Sequence, residues 1–368
     1  MLLLFNKCTF YKVLSERKKI LLLGDINSIH LRKWILGLKN DFDLTVFSLD
    51  PVVDETDALK GITIHTNAEK TTKTSGKLGY LKSIRHLRKI HRALKPDFVH
   101  SHYATSYGLI GALLQPETFY VSVWGSDVYD FPRKSVIHKL VLKWVFRRAT
   151  KLFSTSGNMK LEIEKYTSKA VNVIPFGIDL DKFKNLQRKE KSNDFVVGTV
   201  KALEKVYGVN RLIESFAEFN KKYPSSRCII YGKGSEEENL KKMSSELGMG
   251  DKIEFKGFIK HSEVSKAISE MDVFCILSIR ESFGVAALEA AACKVPVIGS
   301  NVGGIPEVII DNETGFLVDD AAETSEKILF LATNSEARIE MGKRGRQMVE
   351  EKYDWIKNVE LMKSHYTE

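Results

Sequence analysis

Short apolar runs of four to six residues alternate along the chain with longer stretches in which apolar residues recur every three or four positions. The first pattern predicts buried strands and the second predicts amphipathic helices. In the first half the predicted strands are Lys19–Gly24, Leu44–Leu49, Ile62–His65, Asp97–His100, Phe119–Trp124 and Lys151–Ser154. In the second half they are Phe195–Val200, Arg227–Tyr231, Lys252–Phe255, Val273–Leu277, Pro296–Ser300 and Gly315–Val318. Because strands and helices alternate, we expect an α/β protein with parallel sheets.

The length of the chain favours more than one core. With 368 residues, about two domains are expected. Residues 182–194 are rich in charged and polar side chains and lack apolar periodicity, so we place a linker there. The first domain then takes residues 1–181, of which 1–17 form an extension before the first strand, and the second domain takes residues 195–350.

Two glutamates, Glu281 and Glu289, lie eight positions apart in a segment that predicts a strand, a turn, a small-residue helix and a second strand. The first amides of a helix lack internal partners and carry the positive end of the helix dipole, so the preceding turn is suited to a diphosphate. That turn consists of Ser282, Phe283, Gly284 and Val285, and its glycine lets the backbone approach an anion closely. Glu281 is placed to accept hydrogen bonds from sugar hydroxyls, and Glu289, two turns along, to bind a ribose diol.

The helix that carries Glu289 is small and apolar on all sides, with alanine or leucine at positions 286–288 and 290–292. Such a composition is typical of a buried helix, and a carboxylate inside one needs a partner. In a polar helix, the same two glutamates would be a dipole partner and a solvated side chain. In this apolar setting, the pair indicates a nucleotide-sugar site.

This segment, ESFGVAALEAAACKVPVIGSNVGGIPEVI, resembles the E-x7-E signature of retaining glycosyltransferases of family 4, also called group 1, which have the GT-B fold. Further similar stretches follow the family's order: VIPFGID at 173–179, IIYGKGSEEENL at 229–240, KIEFKGFI at 252–259 and GGIPEVIIDNETGFLV at 303–318. The resemblance implies two Rossmann-like, doubly wound parallel-sheet domains that face a central cleft. It also implies that a final helix, at residues 351–368, crosses back to the first domain.

The resemblance implies roles for further residues of the second domain. The positive charge that a departing diphosphate needs would come from Lys205 first and Lys201 second; the alternative is two surface lysines. Gly232 and Gly234 would allow the backbone to lie close to the donor. Gly257, Phe258 and Ile259 would bind its base. The alternative for each of these residues is a turn or core position.

In the first domain the resemblance implies that Gly24 brings backbone amides toward the diphosphate. It places Asp127 and His102 at the catalytic cleft, although a lone histidine is as often structural. Acceptor-facing side chains would be Asn27, Ser28 and His30, with helix capping as the alternative for the first two.

Charge is distributed unevenly along the chain. Residues 1–175 hold 28 lysines and arginines against 15 aspartates and glutamates, a net +13, which leaves −4 for the rest of a chain whose total is +9. Two predicted helices, Tyr80–Leu94 and Ser135–Arg148, contribute basic faces formed by Lys82, Arg85, Lys89, Arg92, Lys139, Lys143 and Arg147. We expect their apolar residues to pack on the sheet: Leu81, Ile84, Leu87, Leu94, Val136, Leu140, Trp144 and Val145.

Such basic faces attract anionic lipid, at about 1 kcal/mol per lysine or arginine near the surface. We therefore expect an anionic membrane surface as a partner. Nucleic acid is not expected, because no binding module is recognisable and aromatic residues are not interleaved with the basic ones.

Four cysteines, Cys8, Cys228, Cys275 and Cys293, show no paired spacing, which argues against a disulfide framework and a zinc site. The reducing cytoplasm is the expected compartment.

No apolar run reaches the roughly 18 residues of a membrane-spanning helix, and the start of the chain lacks the cationic region of a signal peptide. Two D-x-D sequences, at 41–43 and 179–181, are interpreted as a strand-entry turn and the end of the interdomain segment, so no metal or resident cofactor is expected.

The leading interpretation is a retaining, metal-independent hexosyltransferase that uses a nucleoside-diphosphate sugar, with uridine favoured by family frequency. Its acceptor would be a lipid-linked glycan precursor of bacterial-type surface polysaccharide (lipopolysaccharide, O-antigen or capsule), at the inner face of the cytoplasmic membrane. A second interpretation keeps the fold but acts on a soluble acceptor or epimerises a nucleotide-sugar. A third, a non-catalytic sugar-nucleotide-binding scaffold, is suggested by departures from the family pattern at Trp124, Tyr207 and Lys294.

Overall fold

The structure is a computed structural model that describes residues 17–54, 59–67, 83–186 and 194–368. Four parts of the sequence predictions lie outside the described residues. These are nearly all of the N-terminal extension, Cys8, positions 80–82 of a predicted helix, and linker residues 187–193.

The first half of the chain alternates strands and helices. The strands are β1 (Lys19–Leu23), β2 (Asp43–Ser48), β3 (Thr63–Thr66), β4 (Phe98–His102), β5 (Phe119–Ser122), β6 (Lys151–Ser154) and β7 (Val171–Val173). The helices are α1 (Ile29–Leu38), α2 (Ile84–Leu94), α3 (Ser106–Leu114), α4 (Ser126–Tyr129), α5 (Val136–Arg148) and α6 (Gly157–Glu164).

The second half repeats the alternation and ends in three helices. Its strands are β8 (Phe195–Val200), β9 (Ser226–Tyr231), β10 (Ile253–Gly257), β11 (Val273–Ile276), β12 (Val297–Ser300) and β13 (Gly315–Val318). Its helices are α7 (Val209–Lys222), α8 (Glu237–Glu246), α9 (His261–Ser269), α10 (Val285–Ala292), α11 (Ile305–Val308), α12 (Ala321–Thr333), α13 (Ser335–Lys352) and α14 (Trp355–Thr367).

Within the described residues the strands form two parallel sheets. The first has the order β3-β2-β1-β4-β5-β6-β7 and the second the order β10-β9-β8-β11-β12-β13. In the first sheet, Ile20 pairs with Leu44 on one side and with Phe98 on the other. Side chains alternate between the two faces of a strand, and both faces are buried here, because Leu21 and Ile20 belong to separate apolar clusters on opposite sides. This two-sided burial is typical of parallel sheets covered by helices.

The predicted strands are found, three of them with the same bounds: Lys151–Ser154, Phe195–Val200 and Gly315–Val318. The other predicted ends differ by one or two residues. The strand predicted to reach Trp124 ends at Ser122, because the amides of Trp124 and Gly125 donate to the Asp127 carboxylate instead of continuing the sheet. Strand β7 was missed; only its last residue, Val173, lies in the segment that was assigned to the interdomain connection.

The prediction for the apolar side of α5 is wrong in part. Val145 is fully buried, but Val136 is 73% exposed and Leu140 is 59% exposed. The buried residues of this helix are Leu142, Val145 and Phe146. The N-terminal half of α5 is therefore exposed to solvent on its apolar side, and the buried residues in the C-terminal half pack the helix on the domain.

The chain crosses between the two domains twice, at neighbouring places. The amide of Ile178 donates to the carbonyl of Tyr353, and the amide of Trp355 donates back to the carbonyl of Ile178. After this crossing, α14 packs on α1. Its Tyr366 hydroxyl lies 2.6 Å from Nδ1 of His100 in the first domain. The last helix of the chain is thus part of the first domain's core.

Candidate active site

Each sheet has one place where the order of its strands reverses. In the first sheet the chain runs from β1 outward to β3 and then returns to β4 on the other side of β1; in the second, β11 lies beside β8 in the same way. Ligands of open parallel sheets bind outside the carboxyl ends of the strands at such points. Gly24 and His102 mark the first point, where a Cβ on Gly24 would lie 3.4 Å from that of His102. Lys201 and Glu281 mark the second.

Lys201 and Glu281 contact each other directly. Nζ of Lys201 lies 2.5 Å from Oε2 of Glu281, and the two side chains are only 16% and 11% exposed. The hydroxyl of Ser278 donates to the same carboxylate oxygen at 3.3 Å, and the ammonium of Lys201 lies 4.4 Å from the centre of the Tyr207 ring. The sequence-derived preference for Lys205 over Lys201 is thus not reflected in the contacts of Glu281.

The turn after Glu281 is held by two glycines. Gly303 has a φ of 57°, and a Cβ there would lie 1.9 Å from the carbonyl oxygen of Glu281. The amide of Gly304 donates to that oxygen at 3.0 Å. Beyond Ser282 and the buried Phe283, Gly284 precedes α10 with a φ of 100°, a left-handed conformation that favours glycine. The N-terminus of α10, beginning at Val285, is therefore fixed next to Glu281.

Lys205 lies elsewhere. Its side chain is exposed and lines a separate cavity of about 280 Å³ together with Glu204, Glu236 and Asn239. Gly232 and Gly234 support the loop that contains Lys201, because a Cβ on either residue would lie within 2.3 Å of the carbonyl oxygen of Lys201 or Leu203. Their close approach is thus to the chain's own backbone.

Glu289 has the partner that its apolar helix requires. It is 8% exposed, and Oε1 lies 3.2 Å from Nε2 of His261, the first residue of α9. Both side chains line a cavity of about 280 Å³ between the domains, whose opposite wall includes His30 and Lys33 of α1. Burial lowers the pKa of Lys33 to about 8, against the opposing charges of Asp179 and Glu289. This cavity is lined by groups from both domains.

The predicted base site follows β10. Gly257 has a φ of 70°, and its carbonyl accepts from the amide of Gly232 at 2.8 Å. Phe258 is 71% exposed, whereas Ile259 packs on the core of the second domain. The structure thus places an uncovered aromatic ring next to a backbone turn at the carboxyl edge of the sheet.

Asp127 and His102 differ in their hydrogen bonding. The Asp127 carboxylate is fully buried and accepts from the amides of Ala104, Trp124 and Gly125, while burial raises its pKa to about 6. It therefore joins the two loops that follow β4 and β5. His102 is 1% exposed, neither ring nitrogen has a hydrogen-bond partner, and burial lowers its pKa to about 3. Its imidazole is neutral at physiological pH.

The predicted acceptor-facing residues are engaged with the protein. Asn27 donates to the carbonyl of Pro51, and its side-chain oxygen accepts from the amide of Val53. Ser28 is the N-cap residue of α1, although its side chain makes no capping hydrogen bond. His30 stacks on Phe176 at a ring separation of 4.0 Å, and burial lowers its pKa to about 4.

Several contacts join the domains across the cleft. The hydroxyl of Ser156 donates to the carbonyl of Ser282 at 3.0 Å. A Cβ on Gly125, whose φ is 144°, would lie 3.1 Å from the Ser282 side chain. Arg280 pairs with Asp130 at 2.6 Å. The turn next to Glu281 thus contacts the first domain directly.

Two family models match the chain, one on each domain. The model described as "Glycosyl transferases group 1" matches residues 181–348, and the model described as "Glycosyl transferase 4-like" matches residues 19–156. The chain belongs to the group 1 glycosyltransferases of the GT-B fold. This confirms the resemblance to the group 1 family and the predicted GT-B fold class.

Solved structures share the fold of this glycosyltransferase. The sucrose-phosphate synthase of Thermosynechococcus elongatus has a TM-score of 0.83 and 22% identity, covering 95% of this chain and 98% of that one. HepE of Anabaena, in complex with UDP and glucose, has a TM-score of 0.79 and 18% identity, covering 95% and 99%.

A protein described as an uncharacterised glycosyltransferase of Methanocaldococcus jannaschii is 25% identical over 93% of this chain and 94% of its own length. The capsular polysaccharide biosynthesis glycosyltransferase CapM of Staphylococcus aureus is 32% identical, over 51% of this chain and 50% of its own length.

Sequence reasoning missed several residues of the transferase's cleft. Ser278 and His261 contact the two glutamates, and both follow predicted strands, which is a signal that could have identified them. Lys33 lies on α1 and Glu307 on α11, and the groups that they approach belong to distant parts of the chain. Only the tertiary arrangement identifies these two.

The remaining predictions concern metals, cysteines and membrane spans. Among the described residues, no group of three or more histidine, cysteine, aspartate or glutamate side chains is arranged to hold a metal ion. In the D-x-D sequences, Asp41 pairs with Lys363 and Asp179 with Lys182. Cys228, Cys275 and Cys293 are buried thiols. Within the described ranges, no helix has both the length and the apolar character needed to cross a membrane.

Proposed function

We propose that this glycosyltransferase moves a sugar from a nucleoside-diphosphate sugar to a hydroxyl of a glycan acceptor, with retention of anomeric configuration. The observation that carries the proposal is the contact between Lys201 and Glu281 at the switch point of the second sheet, next to the N-terminus of α10. In this scheme the carboxylate binds hydroxyls of the transferred sugar, and the ammonium stabilises the charge that develops on the leaving diphosphate. Stabilising developing charge with fixed donors is a major route to rate enhancement.

The catalytic lysine of this proposal is Lys201, because its ammonium already contacts Glu281. The α10 amides supply further donors to the diphosphate, so no metal ion and no resident cofactor take part. His102 and Gly24 lie at the switch point of the first sheet. Glu289, with His261, is placed to bind the ribose.

We assign uridine to the donor and a glycan to the acceptor on the basis of named relatives. HepE was solved with UDP-glucose, and TarM of Staphylococcus aureus with UDP and α-GlcNAc-glycerol. CapM belongs to capsular polysaccharide biosynthesis, and WaaB is a lipopolysaccharide outer core galactosyltransferase. A lipid-linked precursor of surface polysaccharide on the cytoplasmic side of the membrane is the acceptor that we propose.

The N-terminal half of α5 supports peripheral binding to the membrane. Val136 and Ile137 are 73% and 72% exposed, and Leu140 is 59% exposed. Exposed lysines and arginines surround them: Arg133, Lys134, Lys139 and Lys143. Apolar side chains that enter the headgroup region, surrounded by cations that attract anionic lipid, characterise an interfacial helix.

The test of the reaction starts from donor binding. Thermal-shift titration with UDP-, GDP- and dTDP-sugars should stabilise the folded protein, by about 2.7 kcal/mol at 100 times the dissociation constant. Glu281→Ala should abolish transfer to a lipid-linked acceptor extract. Lys201→Met should lower kcat by about 10²-fold or more, whereas the matched change Lys205→Met should leave it within threefold. Epimerised donor without transfer, or donor binding without turnover, would establish one of the alternative functions.

The membrane test uses vesicles with and without phosphatidylserine. Wild-type protein should sediment with the anionic vesicles and be released by added salt, because exposed charges are screened over about 10 Å at 0.1 M ionic strength. Leu140→Glu should weaken sedimentation without changing thermal stability, since this side chain is exposed. The matched control is Leu247→Glu, an exposed leucine of the second domain. Equal effects of the two changes would contradict the role of α5.

A further inference from the structure

The carboxylate of Glu307 crosses the cleft and binds the first turn of a helix in the other domain. Its Oε2 accepts from the amide of Gly157 at 2.7 Å, and its Oε1 accepts from the amide of Asn158 at 2.6 Å. These amides open α6, where helix donors lack internal partners. An ionised carboxylate at this place gains from both charge-assisted hydrogen bonds and the helix dipole.

Glu307 is also joined to the loop that carries Glu281. Its amide donates to the carbonyl of Gly304, whose own amide donates to the carbonyl of Glu281. The carbonyl of Glu307 accepts from the hydroxyl of Tyr353 at 2.7 Å, at the point where the chain returns to the first domain. A short path of hydrogen bonds thus connects the first turn of α6, the interdomain crossing and the site of Glu281.

We propose that Glu307 is a positioning residue: it holds the first domain, through the first turn of α6, at a fixed distance and orientation relative to the loop that carries Glu281. This inference rests on the proposed transfer reaction, in which donor and acceptor are bound by different domains. A cap that belonged to the helix's own domain would stabilise only that helix. Here cap and helix belong to different domains, so the same two hydrogen bonds fix the relation between the domains.

The other contacts across the cleft are weaker candidates for this role. Arg280 and Asp130 are 47% and 35% exposed, and exposed ion pairs contribute little because water and salt screen them. Ser156 makes one neutral hydrogen bond to Ser282. Two charge-assisted bonds in one place make Glu307 a stronger link than either of these two contacts.

The experiment compares three variants in the full-length protein by small-angle X-ray scattering, donor binding and transfer kinetics. Glu307→Ala should increase the radius of gyration, leave donor affinity within about threefold and lower transfer kcat at least tenfold. Glu307→Gln keeps one acceptor oxygen and should give intermediate values for both the radius of gyration and kcat. Glu313→Ala, an exposed acid beyond α11, is the matched control and should behave as wild type.

Two results would overturn the proposal: an unchanged radius of gyration in Glu307→Ala, or donor affinity and kcat that fall together. The second result would place Glu307 in donor binding. If wild-type protein transfers no sugar to any acceptor, the proposed function fails, but the scattering comparison still decides whether Glu307 sets the domain arrangement.

Discussion

Two buried histidines, His100 and His102, differ in their hydrogen-bond partners. His100 donates or accepts with both nitrogens, at 2.6 Å to the Tyr366 hydroxyl and 2.9 Å to that of Ser122. His102, whose ring stacks on His100 with 4.3 Å between centres, has no partner for either nitrogen. Burial lowers the pKa of both. The two residues occupy alternate positions of one strand. The sequence pattern is thus the same for both, although one imidazole has hydrogen-bond partners and the other has none.

This difference predicts opposite effects of the same substitution. His102→Phe removes an unpartnered polar group and should leave the free energy of unfolding at pH 7 unchanged or increased, whereas His100→Phe should lower it by about 1–3 kcal/mol because two hydroxyls lose their partner. Urea denaturation of both variants measures this. A loss of stability in His102→Phe as large as that in His100→Phe would contradict the assignment.

The same groups predict how stability depends on pH. An unfolded histidine has a pKa near 6.5, but the folded imidazole of His102 stays neutral down to about pH 3. The unfolded chain therefore binds more protons, and stability should fall as the pH drops from about 6.5, by up to about 1.4 kcal/mol per pH unit for each such group. Asp127 acts in the opposite direction, because its pKa is raised to about 6: its contribution is present at low pH and is lost as the pH rises through 6.

The dependence of the unfolding free energy on pH can be assigned to a single residue. His102→Phe should reduce the dependence of unfolding free energy on pH between 4 and 6 by about one proton. Ile110→Val, a change in a buried side chain that does not titrate, serves as the control and should leave the slope unchanged. If both variants retain the wild-type slope, His102 is not neutral in the folded state as described.

At the scale of elements, the position of Glu281 depends more on the loops that follow the strands than on the strands themselves. The loop after β12 packs against the loop after β11 so closely that Gly303 has no room for a side chain. The helix that follows each loop is thereby fixed relative to Glu281. This contact explains why two glycines stand together between an apolar strand and the short helix α11.

Gly303→Ala should therefore displace the Glu281 loop and lower kcat by about tenfold or more, because small misplacements of reacting groups are costly. Gly248→Ala is a matched control, since Gly248 also has a positive φ of 72° but has no atom within 4 Å of an added Cβ. The Gly248→Ala variant therefore has the strain of a positive φ but lacks the steric clash with Glu281 that Gly303→Ala introduces. Equal losses of activity in both variants would show that strain alone is responsible.

At the scale of the whole molecule, the first domain is completed by the end of the chain. Tyr366 is 1% exposed in a cluster with residues of β1, β2 and β4. Lys363 pairs with Asp41 at 2.6 Å, and the amine of Lys18 donates to the carbonyl of Tyr366. The segment that crosses back at Ile178 and Trp355 is thus anchored in the first domain.

We expect the loss of this anchor to destabilise the first domain selectively. Tyr366→Ala should cost about 3–5 kcal/mol, as for other buried aromatic residues, and hydrogen exchange should increase in the strands of the first sheet but not in those of the second. Phe330→Ala, at a 43% exposed phenylalanine of the second domain, is the comparison. Increased exchange in both sheets would mean that the two domains unfold as one unit.

The sequence by itself determined the order of strands and helices, the division into two parallel sheets, and the segment that carries Glu281 and Glu289. The division follows from the length of the chain. The order of the elements and the glutamate segment follow from local periodicity and from helix-terminus chemistry, both of which act over a few neighbouring residues. For the same reason it indicated that Glu289 needs a partner but not that the partner is His261.

Only the tertiary structure decided which groups meet. It brought Lys201 to Glu281 and left Lys205 in another cavity, exposed one half of α5, and placed the Glu307 carboxylate on α6, 149 residues away in sequence from Asn158. Such contacts depend on how two separate sheets face each other, and no short-range pattern encodes that relation. The crossing segments and α14 join parts of both domains, so the geometry of the cleft is a property of the folded chain as a whole.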